Sequence, residues 1–139
     1  MKRYLDTTVF TYAVLYEDDK ALNCKNLVKD IANGLVGGFT STITWDEVVY
    51  TVKKTLGKEL SKEEGKKFLR LPKLNIIKLD IAILSKAQEL IEKYSIDPRD
   101  AIHAATALVN GINEIISDDG DFDAIKEIKR ISLEDIKKI

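Results

Sequence analysis

Short β-type runs alternate with longer amphipathic stretches along almost the whole chain, and this alternation limits the fold more than any single residue does. The candidate strands are residues 2–5, 38–42, 75–79, 114–116 and 129–131. Helical periodicity falls between them, at 9–16, 20–33, 45–56, 62–71, 81–94 and 98–110. Parallel neighbours need a crossover connection, so strands separated by helices of this length read as successive βαβ units. The pattern predicts an α/β fold: a three-layer α/β/α sandwich with a mainly parallel five-stranded sheet. The 139 residues predict one domain spanning 1–139. A chain of that length removes about two-thirds of its unfolded surface from water, enough for a core without disulfides or structural metal.

Composition narrows the classes further. The lone cysteine, Cys24, falls in register with Ala21, Leu27, Val28 and Ile31 on one helical face, which predicts buried packing. It leaves no disulfide and no Cys/His spacing for structural zinc. MKRYLD turns acidic before a signal-peptide core can develop, and no apolar run approaches the roughly 18 residues of a membrane span. The expectation is therefore a cytoplasmic protein with no membrane partner. A net charge of −1 argues against nucleic-acid binding through bulk charge, so any such binding needs a local patch or bound cations. The Lys/Glu-rich KKTLGKELSKEEGKK reads as a solvated helical hairpin with a Glu63 to Lys67 pair at i,i+4.

Acids recur where apolar runs stop or helices begin, which is where open α/β sheets place their ligand crevice. Asp6 closes the first strand ahead of Thr7 and Thr8, either of which could cap the next helix in its place. Glu47 is the third residue after Thr44, and T-x-x-E at a helix start is a capping box. Asp100 lies in the first turn behind Asp97 as N-cap and Pro98 as first helical residue, where the helix dipole favours an acid. Each of these two has a sufficient structural reason to exist, and only the constellation raises it above that. Asp118, Asp119 and Asp121 surround Gly120 as ordinary turn chemistry, wrongly spaced for an EF-hand.

Two carboxylates about 4 Å apart repel by about 4 kcal/mol at an effective dielectric near 20. A cluster of four therefore requires cations or protonation. An oxygen-only donor set suits Mg²⁺ or Mn²⁺, whereas zinc would want His or Cys. The sole histidine, His103, three residues after Asp100, reads as a packed or hydrogen-bonding side chain. Arg99 either steadies a phosphate or pairs with a nearby acid.

In order and spacing, LDTTV, TSTITWDE, DPRDAIHAA and IISDDGDFD resemble the PIN-domain family, and within it the VapC-like ribonuclease toxins, over nearly the whole chain. The resemblance implies the strand order 3-2-1-4-5. It also implies that Asp6, Glu47, Asp100 and Asp119 are catalytic, metal-binding acids, supported by Thr7, Ser117 and Asp121. Asp119 matches the last motif better than Asp118, and Asp97 has no counterpart and stays an N-cap. The activity implied is Mg²⁺- or Mn²⁺-dependent hydrolysis of RNA by a metal-activated water, leaving a 5′-phosphate and a 3′-hydroxyl. The partners implied are an RNA substrate, a second copy in a homodimer, and a small antitoxin whose tail enters the acidic crevice. The apolar VFTYAVLY of the first helix offers a shared surface. A non-catalytic PIN-like RNA- or protein-binding module and an RNA-maturation nuclease are the alternatives within the same resemblance.

Two other α/β classes use acids at strand ends. A receiver domain needs an acidic pair after its first strand, which Asp6-Thr7-Thr8 does not supply, although Asp80 and Lys129 loosely echo its other positions. A haloacid-dehalogenase-type phosphatase needs D-x-D, and Thr8 stands where the second acid belongs.

Overall fold

The computed structural model describes residues 2–138. In chain order the elements are β1 (Lys2–Leu5), α1 (Thr7–Leu15), α2 (Asp19–Ala32), β2 (Gly37–Ser41), α3 (Thr42–Leu56), α4 (Lys58–Leu69), β3 (Asn75–Ile77), α5 (Ile81–Tyr94), α6 (Pro98–Val109), β4 (Glu114–Ile116) and β5 (Lys129–Ile131). Two 3₁₀ turns, Gly120–Ala124 and Leu133–Lys138, complete the chain.

The strands pair in parallel throughout, in the order β3-β2-β1-β4-β5. This is the order the resemblance implies. It differs from the 2-1-3-4-5 order of receiver-type folds, which removes that class. Asp80, the receiver-like acid, instead caps α5 by accepting from the Ile83 amide at 3.0 Å.

Alternation along the central strands builds the layers. Successive side chains point to opposite faces of a sheet. Tyr4 and Ile115 enter an apolar cluster with Ile83, Leu90, Ala104 and Phe122 from α5, α6 and the first 3₁₀ turn. Leu5 and Ile116 enter a second cluster with Val9, Leu27, Val48 and Phe68 from α1 to α4. β1 is therefore covered on both sides, as parallel sheets require, and the acid that follows it emerges at the sheet's carboxyl edge.

Boundaries differ from expectation most at α4, which runs Lys58–Leu69 where 62–71 was expected, and at the start of α3. The helix begins at Thr42 because Ser41, the last residue of β2, is its N-cap and accepts from the Ile43 amide at 3.1 Å. Thr44 thus lies inside the helix, where its hydroxyl is buried against Thr40 Oγ1 at 2.7 Å. The capping box expected of Thr44 and Glu47 does not form, and the Glu47 side chain is free for other work. Between α3 and α4, Gly57 adopts φ 99°, a left-handed-side turn that favours glycine. A Cβ on Gly65 would come within 2.9 Å of Val49 Cγ2, so the hairpin's close packing depends on that glycine. Its surface ion pairs are Lys62–Glu59 and Lys67–Glu64, both i,i+3, in place of the expected Glu63–Lys67 pair.

Cys24 is fully buried, and burial pushes its thiol up to about 12, which makes it unreactive packing. Among the described residues no helix is long and apolar enough to cross a membrane.

Candidate functional site

Asp6 leaves β1 and Ser117 leaves β4, two adjacent parallel strands whose carboxyl ends lie side by side. Asp6 occupies the N-cap position of α1, yet its side chain caps nothing. Its Oδ2 accepts instead from Ser117 Oγ at 2.6 Å and from Thr8 Oγ1 at 3.1 Å. Ser117 Oγ in turn accepts from the Asp119 amide at 2.9 Å, so one hydroxyl joins the ends of both strands. Asp119 caps the 3₁₀ turn that follows, its Oδ1 accepting from the Asp121 amide at 2.9 Å. Asp118 points elsewhere, into Tyr12 Oη at 3.0 Å and Lys20 Nζ at 3.2 Å.

Glu47 reaches the same crevice from the second turn of α3. Its Oε1 accepts from Thr7 Oγ1 at 2.7 Å and His103 Nε2 at 2.6 Å. His103 is 1% exposed and anchored at its other nitrogen by Tyr4 Oη, 2.7 Å from Nδ1. A carboxylate only accepts, so Nε2 carries the hydrogen of the Glu47 contact. Burial opposes a charge on His103, but the hydrogen bond to Glu47 and the nearby Asp6, with Oδ1 at 3.6 Å, outweigh it and raise its pKa. Glu47 is moved the other way. Burial favours its neutral form, and the contacts from His103 and Thr7 with the field of Arg99 overcome this and lower it. The expected packed, hydrogen-bonding histidine is therefore also the group that orients one acid of the site.

Asp100 is different. It projects from the first turn of α6, and no hydrogen bond to its carboxylate offsets the forces on it. Burial, then the negative fields of Asp119, Asp6 and Asp121, push its pKa up to about 7. Three acids thus have one oxygen tied by protein donors and the other unengaged by them, while Asp100 has none tied. Glu47, Asp97, Asp100 and Asp119 line one cleft of about 480 Å³ together with Pro98 and Arg99.

Asp97 was not singled out as a site residue by the sequence. It stands at the N-cap of α6 but its side chain makes no capping hydrogen bond. It offers instead a carboxylate oxygen to a group with Asp100 and Asp121, all within 4.8 Å of one another. The signal available was its i,i+3 spacing from Asp100, which places the two on one face of the helix entrance. The donor set is made of hard carboxylate oxygens, with excess negative charge around Asp100. Both properties suit a divalent cation such as Mg²⁺ or Mn²⁺ held by Asp100 with Asp6, Glu47, Asp119, Asp97 or Asp121.

The PIN-domain profile matches residues 3–128. The chain belongs to the PIN-domain family. Solved structures similar to this PIN domain include VapBC2 of Rickettsia felis bound to a promoter DNA fragment, with 22% identity, TM-score 0.73, and coverage of 95% of this chain and 98% of that one. Another is the Mycobacterium tuberculosis VapC20, a sarcin-ricin loop cleaving toxin, at 16% identity and TM-score 0.74 over 89% and 95% of the two chains. A third is DNA-bound VapBC of Salmonella typhimurium, at 18% identity and TM-score 0.73 over 96% and 98%. At these identities the likeness establishes a shared fold. No curated protein matches this PIN domain in sequence.

Proposed function

We propose that this PIN domain, a single unit over 1–139, is a Mg²⁺- or Mn²⁺-dependent ribonuclease and the cytoplasmic toxin of a toxin–antitoxin pair. The observation that carries this reading is the division of carboxylate oxygens: Asp6, Glu47 and Asp119 each keep one oxygen fixed and one unengaged beside Asp100, whose carboxylate no protein donor ties. Asp6, Glu47, Asp100 and Asp119 are the catalytic and metal-binding acids of the proposal. A bound divalent cation supplies a water of lowered pKa and neutralises charge at the scissile phosphate. The chain's own groups prepare that site. Ser117 and Thr8 hold Asp6; Thr7 and His103 hold Glu47; the Asp121 amide holds Asp119. Fixing each ligand before the substrate arrives is what gives such donors their catalytic value.

The toxin assignment rests on the VapBC structures among the similar folds and on VapC20, described as a sarcin-ricin loop cleaving toxin. The proposal includes a homodimer and a small antitoxin. An apolar groove of about 430 Å³, lined by residues including Phe10, Ala13, Val14, Val28 and Leu71, suits an amphipathic segment of that partner.

Incubating the purified protein with labelled structured and single-stranded RNAs in Mg²⁺, Mn²⁺ or EDTA tests the activity. The expected result is EDTA-sensitive cleavage that Asp6→Asn abolishes while the fold is retained. Equal cleavage by the variant would overturn the proposal, because it would place the activity in a contaminant.

A further inference from the structure

Next to the acid cleft lies a second cavity of about 540 Å³, lined by Asp46, Glu47, Tyr50, Thr51 and Arg99. We propose that this cavity is a subsite for one unstacked nucleotide of single-stranded RNA, with its base on the Tyr50 ring and its phosphate on Arg99. The inference rests on the ribonuclease reading and names the form of substrate that reading leaves open.

Continuity is the first reason. Glu47 and Arg99 line both cavities, so a strand whose phosphate reaches the acids continues into the second cavity along one surface. The volume lies within the roughly 300–1,000 Å³ of small-ligand pockets, enough for a nucleotide. Charge is the second. A polyanion approaching Glu47, Asp97, Asp100 and Asp119 is repelled, and Arg99 is the basic residue among the groups lining either cavity. Arg99 takes part in no ion pair among the described residues, so its guanidinium fork is available to a phosphate. The third is the ring itself. Tyr50 is 62% exposed one turn after Asp46 on the outer face of α3, where apolar packing does not account for it. An exposed aromatic beside a cation is the combination that receives an unstacked base, whereas bases within a duplex are already stacked on each other. Asp46 and Thr51 supply polar groups for the base edge.

The test is a fluorescence titration of the full chain with a short single-stranded oligoribonucleotide carrying 2-aminopurine, in Ca²⁺, with a gel showing the oligomer uncut. Quenching on binding is expected. Tyr50→Ala should weaken binding about tenfold, the order seen when a stacking aromatic is removed, and Tyr50→Trp should preserve it. Arg99→Gln should also weaken binding and flatten the slope of log affinity against log salt by about 0.7, the value for one phosphate contact on a single strand. The same sequence as a duplex should respond to neither Tyr50 variant. Tyr50 is exposed, so its variants should keep the parent melting temperature. Unchanged single-strand affinity in Tyr50→Ala overturns the proposal, as does an equal loss for the duplex. A change from dimer to monomer in Tyr50→Ala with unchanged affinity also overturns it, and assigns the ring to a self-association face. Metal-dependent cleavage persisting in any of these cases leaves the ribonuclease reading standing. Tyr50-dependent binding by a protein that never cleaves would sink that reading and keep the subsite.

Discussion

The two walls of the acid cleft are built on opposite principles. On the sheet side, Asp6 and Asp119 are joined through the Ser117 hydroxyl, and Glu47 of α3 is pinned by Thr7 and by a buried His103 that reaches across from α6 and that Tyr4 holds in turn. On the α6 side, Asp100 has neighbours of its own sign and no offsetting hydrogen bond. One wall is preorganised, and the other stores repulsion that a cation would relieve. A site that was merely a polar surface would have no reason to combine a saturated network with a destabilised acid.

That contrast can be broken most sharply at Asp6. Asp6→Asn should lower the cleavage rate by at least about 100-fold in a gel assay with Mn²⁺, since it removes the negative charge of a proposed ligand and puts an NH₂ donor where a carboxylate oxygen stood, while its amide oxygen can still accept from Ser117 and Thr8. A rate within a few-fold of the parent would show that the sheet-side wall is scaffolding only. Ser117→Ala leaves every acid in place and removes the hydroxyl that donates to Asp6 and accepts from the Asp119 amide. Mn²⁺ affinity measured by calorimetry should fall about 10- to 100-fold.

Asp100→Asn should do something no sheet-side substitution does. It should abolish tight Mn²⁺ binding yet stabilise the metal-free protein at pH 8 by about 1 kcal/mol, read from urea unfolding in EDTA. A loss of stability would mean that Asp100 is supported rather than opposed by its surroundings.

The pH dependence follows from the same group. Asp100 binds its proton more tightly folded, near 7, than at its ordinary 3.8, so its contribution to stability is complete below the ordinary value and is lost as pH rises through the folded one. Metal-free stability should therefore carry an Asp100 contribution that declines from about pH 4 to about pH 7. Asp100→Asn should remove that decline, and the parent's Mn²⁺ affinity should rise as pH passes 7. The smallest effect belongs to Tyr4→Phe, which removes only the hydroxyl on His103 Nδ1. A loss of about 1 kcal/mol in unfolding free energy is expected, with the core volume unchanged.

How far the sequence revealed these walls depended on whether a signal was periodic. The bounds expected for β1, β4, β5 and α5 coincide with the observed ones, because alternation and helical spacing there are uninterrupted. α3 was misplaced at its start because Thr44 and Glu47 carry the letters of a capping box, while Ser41 does the capping from within the end of a strand. The 3₁₀ turns at Gly120–Ala124 and Leu133–Lys138 are too short to show a period. Among the side chains, Asp6, Glu47, Asp100 and Asp119 were legible as acids at element ends. Their second contacts were not, because Ser117 meets Asp6 across 111 positions and His103 meets Glu47 across 56. Asp97 shows the converse limit: its position as N-cap was correct, and the direction of its carboxylate was not deducible from position.

The sealed thiol of Cys24 has a practical consequence. With its only thiol inside the fold and held far from its reactive form, the chain presents a blank exterior to maleimide chemistry. A cysteine introduced on the outer turns of α3 would accept a spin label or dye alone, giving a local ruler for strand docking without further engineering.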